Sequence, residues 1–243
     1  MSYKPLLIKD NKVVFYDNKI AFYDLKFKPG EYPTNGLLAR WMFNGDLTDS
    51  YNSFDLTYVD LGSASPSYTT GHVSAQAISF NMDGGAYQSD ASIVGTFTTW
   101  KPSTTAWWQK VLLPYGDWAN ISFEISRTID SDQDMRCNNG TTDGGTGTIS
   151  RKWYSLITHA LPSTWNHYVL RVSTGSICDV FINNILVGTI PYATISSPTR
   201  LGWGYRVEAS GSKFKGYINA AYVYNRAISD DEVAQLYNNG NGV

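Results

Sequence analysis

The chain has 243 residues, 42% hydrophobic and 14% aromatic but only 16% charged, so material for a sizeable core is present while the surface must be largely neutral and hydrogen-bonding. A formal net charge of -2, with no run of three Lys or Arg, excludes a phosphate-backbone footprint, and nucleic acid is not an expected partner. No apolar run is long enough to span a bilayer and the first residues contain no continuous apolar h-region, so neither membrane insertion nor a signal-peptide precursor is expected.

At the N-terminus, Lys9 to Phe15 reads KDNKVVF and Tyr16 to Phe22 reads YDNKIAF, a seven-residue near-repeat with five lysines between Lys9 and Lys28. The Asp-Asn pairs favour turns and the runs between them favour strand, which predicts a small hairpin or meander. Such a ribbon is marginal alone and gains most by pairing with a partner's edge. Residues 1–36, with Pro29-Gly30 and Pro33-Thr34-Asn35-Gly36 as linker, are therefore read as a β-ribbon attachment arm, against the plainer reading of a ribbon that pads one edge.

The main domain is expected over 37–243. Leu38 to Phe43 reads as a strand with Trp41 and Phe43 on one face, followed by the loop Asn44 to Ser50, with further strands at Phe54 to Val59 and Ala75 to Phe80. Ala106 to Leu113 and Ile121 to Ile125 look like central strands of a sheet joined through Pro114 to Trp118, and Thr128 to Ser150 reads as a long polar loop or floppy hairpin. Tyr168 to Val172, Val180 to Val187, Leu201 to Val207 and Tyr217 to Tyr224 are four more runs, the second interrupted by Asn183-Asn184 as a tight hairpin or bulged edge would require. With no long amphipathic helix between runs, the sheets must be antiparallel.

One helix closes the chain. Ser229 is followed three residues later by Glu232, the spacing of a reciprocal cap, with Ile228 and Val233 placed as a hydrophobic staple. Val233, Leu236 and Tyr237 form an apolar stripe and Asn238-Asn239-Gly240 stops the run. A helix this short must dock on the sheets.

The pieces WMFNGDLTDS (Trp41 to Ser50), AISFNMDGGAY (Ala77 to Tyr87), TWNHYVLRV (Thr164 to Val172), VFINNILVGT (Val180 to Thr189), FKGYI (Phe214 to Ile218) and VYNRAISDDEVAQLYN (Val223 to Asn238) resemble, in order, the laminin-G-like, concanavalin A-like jelly-roll modules. The resemblance implies an all-β sandwich of two curved antiparallel sheets with loops gathered at the rims. Family members bind glycans or protein ligands, or act as spacers, and a calcium ion often sits at one rim. Where the family tends to have Asp after FxGxI this chain has Asn219, which weakens the calcium expectation because a hard cation wants several charged oxygens.

For calcium, the candidate ligands are Asp46 and Asp49 in the NGDLTD loop, Asp83 from the NMDGG turn and Asn219 as a neutral oxygen; the alternative is that these side chains cap their own turns. No cofactor is otherwise expected. Sugars present C–H faces to rings and hydroxyls to amides and carboxylates, so Tyr115, Trp118, Trp203, Tyr205 and Arg206, with Asp117 and Asn120, are the candidate glycan residues. Trp41, Trp108 and Trp165 are expected in the core.

An enzyme is not expected. None of Glu31, Glu124, Glu208 and Glu232 has an acidic neighbour at strand spacing, as a glycoside hydrolase would need, and the alternating Asp130, Asp132 and Asp134 read as a solvated loop. His72, His159 and His167 are scattered, and His167 is expected to fill a hydrogen-bonding slot in a strand. Cys137 and Cys178 fit no metal or redox spacing and are read as free thiols, at least one buried, against a single disulfide.

The first functional reading is a non-catalytic structural or adhesion component of an assembly, such as a phage capsid-decoration, fibre or tail protein. It would be homo-oligomeric, bind other structural proteins through the arm, touch surface glycans at the rim, and sit on a virion or extracellular surface. The alternative is a carbohydrate-binding module of a secreted or surface protein, and glycoside hydrolysis ranks last.

Overall fold

The computed structural model of the chain describes residues 7–9, 12–16, 20–24, 31–59, 67–80, 92–96, 103–112, 121–126, 135–138, 146–151, 154–160, 163–174, 177–191, 200–203 and 214–243. The N-terminal near-repeat is a three-stranded antiparallel meander of β1 (Leu7–Lys9), β2 (Lys12–Tyr16) and β3 (Ile20–Asp24), with Leu7 opposite Val14 and Val13 opposite Tyr23. No described strand of the larger sheets pairs with it.

Two further sheets make the sandwich. The strands in chain order are β4 (Leu37–Trp41), β5 (Thr57–Val59), β6 (Ser67–Thr70), β7 (Gln76–Phe80), β8 (Ser92–Thr96), β9 (Thr104–Val111), β10 (Ile121–Ser126), β11 (Met135–Asn138), β12 (Thr146–Arg151), β13 (Tyr154–Ala160), β14 (Asn166–Thr174), β15 (Ile177–Ile182), β16 (Ile185–Pro191), β17 (Arg200–Trp203) and β18 (Gly216–Tyr224). One sheet runs β13-β12-β11-β10-β17-β8-β5; the other runs β16-β15-β14-β9-β18-β7-β6, with β4 also paired to β18. All of these pairs are antiparallel, as the short runs without crossover helices required.

Three expectations need correcting or sharpening. β9 and β10 lie in different sheets rather than side by side, because an apolar run reveals burial and not which layer it joins. The polar stretch before Ser150 contains a hairpin, β11 with β12, in which Cys137 opposes Ile149 and both are buried. Asn183-Asn184 makes the tight turn between β15 and β16 with φ of 51° and 65°, and the register shifts where Val180 opposes Gly188 and Phe181 opposes Leu186, so hairpin and bulge are both present.

The main core lies between the sheets: Trp107, Tyr168, Val180 and Ile218 from one side meet Phe123, Ile149, Leu201 and Trp203 from the other. A second core covers the opposite face of the eight-stranded sheet, where Trp108, Val169, Tyr222 and Tyr224 meet Ile228, Val233 and Leu236. Almost every residue of β18 is therefore buried, on one face by the other sheet and on the other by α1 (Asp230–Tyr237). That double cover explains why GYINAAYVY is nearly continuous in apolar residues.

The helix is held as its sequence dictates. Glu232 N donates to Ser229 Oγ at 3.3 Å and Ser229 N donates to Glu232 Oε2 at 2.7 Å, completing the capping box. Val233 and Leu236 are fully buried, and Asn238 ends the helix in the left-handed region at φ 46°. Arg226 Nη1 donates to Glu232 Oε2 at 2.8 Å, which holds that carboxyl below its usual range. Arg171 ties sheet to helix by donating to Asp179 Oδ2 at 2.9 Å, Asp230 Oδ1 at 2.6 Å and Ile228 O at 2.9 Å. Residues 31–36 pack against this same layer, Pro33 O accepting from Tyr224 Oη at 3.0 Å and Asn35 O from Arg226 Nε at 2.8 Å. Both cysteines are buried thiols outside any disulfide, and burial pushes the Cys178 thiol up to about 12. Among the described residues no helix is long and apolar enough to cross a membrane.

Candidate functional site

Of the predicted glycan residues, Trp203 is corrected: it is 0% exposed, packed edge-on against Trp41 at 5.6 Å and Phe43 at 6.0 Å between ring centres. Its run faces the other sheet, and inward alternation buries the ring. Tyr115, Asp117, Trp118, Asn120, Tyr205 and Arg206 lie outside the described residues, as do the candidate metal ligand Asp83 and the alternating Asp130, Asp132 and Asp134. The flanking strands are informative nonetheless. Phe123 near the start of β10 opposes Trp203 at the end of β17, and Gly216 at the start of β18 opposes both Val111 at the end of β9 and Phe80 at the end of β7. The chain therefore enters and leaves all of these strands at one end of the sandwich.

The candidate calcium oxygens are engaged by N–H donors. Asp49 is largely buried: Oδ1 accepts from Arg40 N and Tyr51 N at 2.9 Å each, and Oδ2 accepts from Asn52 N at 3.1 Å and Phe54 N at 3.2 Å. Asp46 Oδ1 accepts from Thr48 N at 3.1 Å and Thr48 Oγ1 at 2.8 Å, an Asx turn. Asn219 Oδ1 accepts from His72 N at 2.9 Å, Val73 N at 2.7 Å and Ser74 N at 3.3 Å. Asp49 and Asn219 thus accept from backbone N–H groups, Asp49 mostly within its own loop, which is the capping alternative. Among the described residues no group of three or more His, Cys, Asp or Glu is set to hold a metal.

Asn219 is instead a structural hub. Its Nδ2 donates to Met42 O at 2.9 Å, Ser74 Oγ at 2.8 Å and Gln76 O at 2.8 Å, so one buried amide pins the segment 71–76 and the end of the Leu37 strand to β18. The register of β18 against β9 shifts between Asn219 and Tyr222, and Ala220 takes φ 44°. The shift is a β-bulge, which re-aims the side chains on either side of it.

Beyond that bulge the sheet face away from the main core is not covered by the helix. Gln109 points inward, accepting from Trp107 Nε1 at 2.9 Å, so Lys110 points outward. Ile78, Phe80 and Ile218 belong to the main core, so Ser79 and Tyr217 also point outward. Tyr217 opposes Lys110 on one side and Ser79 on the other, and Ser79 opposes Ser67. Asn166 at the start of β14 opposes Gln109, and Trp165, the residue before it, brings its ring to the other end of the row near Tyr217.

Trp165 corrects an expectation. It is only partly buried, with its ring 6.3 Å from that of Tyr217 and stacked at 5.6 Å on His72. His72 is fixed in turn by Nε2 against Gly240 O at 2.7 Å. Trp165 and Tyr217 were legible as outward residues from one signal only: each flanks an inward run at the start of a strand.

The remaining titratable groups have structural work. His167 is fully buried against Trp108 at 5.1 Å and Tyr237 at 6.2 Å, and neither ring nitrogen meets a hydrogen-bond partner among the described residues, so it fills the core by stacking rather than by hydrogen bonding. Burial, with His72 nearby, pushes it down to about 3, and it stays neutral. Glu232 serves the helix cap, and Asp179 and Asp230 hold Arg171.

The laminin G family model described as "Concanavalin A-like lectin/glucanases superfamily" matches residues 94–234, more than half of the chain. Comparison with curated proteins gives no match. Among solved structures, domain 4 of AbnA, a GH43 extracellular arabinanase from Geobacillus stearothermophilus in complex with arabinotriose, is similar at 18% identity and TM-score 0.64, covering 81% of this chain and 96% of that one. The binding domain of botulinum neurotoxin serotype D/C is similar at 10% identity and TM-score 0.56, covering 84% of this chain and 52% of that one. The binding domain of Paraclostridial mosquitocidal protein 1 follows at 15% identity and TM-score 0.54, with 84% and 52% covered. The chain thus spans about half the length of the two toxin domains, and at these identities the likeness is one of fold. With the family model spanning most of the sandwich and the two antiparallel layers closed by the capped helix, the protein belongs to the concanavalin A-like lectin/glucanases superfamily.

Proposed function

We propose that this domain is a non-catalytic carbohydrate-binding module. The observation that carries the reading is the near end-to-end likeness to domain 4 of the arabinanase, a structure determined with arabinotriose, joined to membership of a lectin-type family. Family and fold support this reading over the narrower one of a virion component. Recognition is assigned to the end of the sandwich where β7 and β9 finish and β14 and β18 begin. A glycan array followed by titration calorimetry on the whole chain tests it: saturable binding to a defined oligosaccharide class is expected, and silence across the array sinks it.

A second, compatible role rests on the meander at Leu7–Asp24, whose strands pair only with each other among the described sheets. A three-stranded ribbon of such short strands has unpaired edges suited to joining another copy or another assembly protein. Light scattering with and without residues 1–29 decides: a drop in oligomer number on truncation is expected, and an unchanged mass removes the arm from any role in assembly.

A further inference from the structure

We infer that the outward row Trp165, Lys110, Tyr217, Ser79 and Ser67 is the saccharide platform of this domain and that it selects carboxylated sugars, uronate oligosaccharides above all. The inference rests on the carbohydrate-binding reading and deepens it.

Three observations converge on this row. It holds partly exposed aromatic rings where the neighbouring half of the same face has buried Trp108, Tyr222 and Tyr224 under the helix: Trp165 and Tyr217 keep part of their surface in solvent. Partly open, fixed rings suit the C–H face of a pyranose, since the aromatic face is electron-rich and the stacked surface is apolar. The rings are also held in place: Trp165 stacks on His72, His72 is anchored to Gly240 O, and the segment carrying His72 is tied down by the buried Asn219. Little conformational freedom remains to be lost on binding.

Charge decides the sugar class. The strand register puts Lys110 directly beside Tyr217. The row contains no Asp or Glu. A cation in register with Tyr217 favours a ring substituent of negative charge, and on a saccharide that is the carboxylate of an acidic sugar. Ser79 and Ser67 supply hydroxyls at the far end, with Ser67 Oγ donating to Ser79 O at 3.2 Å. From Trp165 to Ser67 the row crosses four strand spacings, about 19 Å, room for a short oligosaccharide laid across the strands.

The position fits the connectivity. Lys110, Tyr217 and Ser79 each lie one residue from a strand end, at the end of the sandwich where the other candidate segments join.

The test uses the full chain with oligogalacturonates and, as the uncharged control, their methyl esters, alongside a neutral glycan array. The free acids are expected to bind about tenfold more tightly than the esters at low salt, with the preference shrinking as salt rises. Lys110→Gln should erase the acid-over-ester preference and Lys110→Arg should retain it. Tyr217→Ala and Trp165→Ala should each weaken binding about tenfold or more, and Tyr217→Phe, which keeps the ring, should leave affinity within about twofold. Circular dichroism confirms the fold of each variant, and Lys110→Gln, on the open face, carries the test should Trp165→Ala unfold. Neutral-sugar binding that ignores Tyr217→Ala and Lys110→Gln overturns the platform and leaves the carbohydrate reading intact. Equal affinity for acid and ester overturns the selectivity, and silence toward every saccharide overturns both.

Discussion

The outer face of the eight-stranded sheet divides at Asn219. On one side, Tyr222 and Tyr224 lie beneath α1 and are wholly buried; on the other, Tyr217 and its neighbour Trp165 remain partly open. Both halves follow the same strand alternation, and both carry aromatic residues. What separates them is the degree of cover: the capped helix and the 31–36 segment bury one half, whereas Trp165 packs at the margin of that core against His72 and Tyr217 keeps part of its surface open. A ring under the helix stabilises the fold, and a ring outside it is available to a ligand.

Asn219 stands at the division, and replacing it should have the largest effect. Asn219→Ala removes the amide that reaches Met42 O, Ser74 Oγ, Gln76 O and the N–H groups of 72–74, and leaves buried N–H and C=O groups unpaired, for an expected loss of ~4 kcal/mol in urea unfolding. It should also weaken saccharide binding, because it frees the segment that carries His72. A variant that loses stability and keeps full affinity would show that the two halves are independent. Leu236→Ala, which opens a cavity on the covered side, should cost about 3 kcal/mol with affinity unchanged in the folded fraction. Equal damage to binding would mean that the helix side reaches the open side.

Acidification probes the covered half alone. His167 is held at about 3 when folded against its usual 6.5, so the unfolded chain takes up a proton first. The contribution is intact above about 6.5 and is lost as pH falls through that window toward 3. Melting temperature should fall between pH 6.5 and about pH 5, above the range of carboxylates such as Glu232, and His167→Phe should flatten that limb and hold or raise stability at neutral pH. An unchanged limb would place the acid-sensitive group elsewhere. Ser229→Ala, at the edge of the same half, should cost only about 1 kcal/mol, since Arg226 still holds Glu232. A much larger loss would show that the cap governs how the helix docks.

Local pattern made the elements legible. Ser229 and Glu232 at capping distance, Val233 and Leu236 on one stripe, Asn183-Asn184 between two apolar runs, and the DNK repeat of the arm each specify a short piece of structure through neighbours a few residues away, so they can be read without the fold. The family resemblance was legible for the same reason, because its most specific piece is that capped helix. Layer, cover and site were decided only in the assembled molecule. β9 and β10 look alike as apolar runs yet join different sheets; Trp203 and Trp165 look alike as strand tryptophans, yet one sits between two sheets and the other meets a histidine from a distant segment. Asn219, read as a weakened metal ligand, became the amide that fastens 71–76, because its partners come from positions about 145 and 177 residues away. Burial depends on which surfaces meet, and which surfaces meet is set by contacts far apart in the chain.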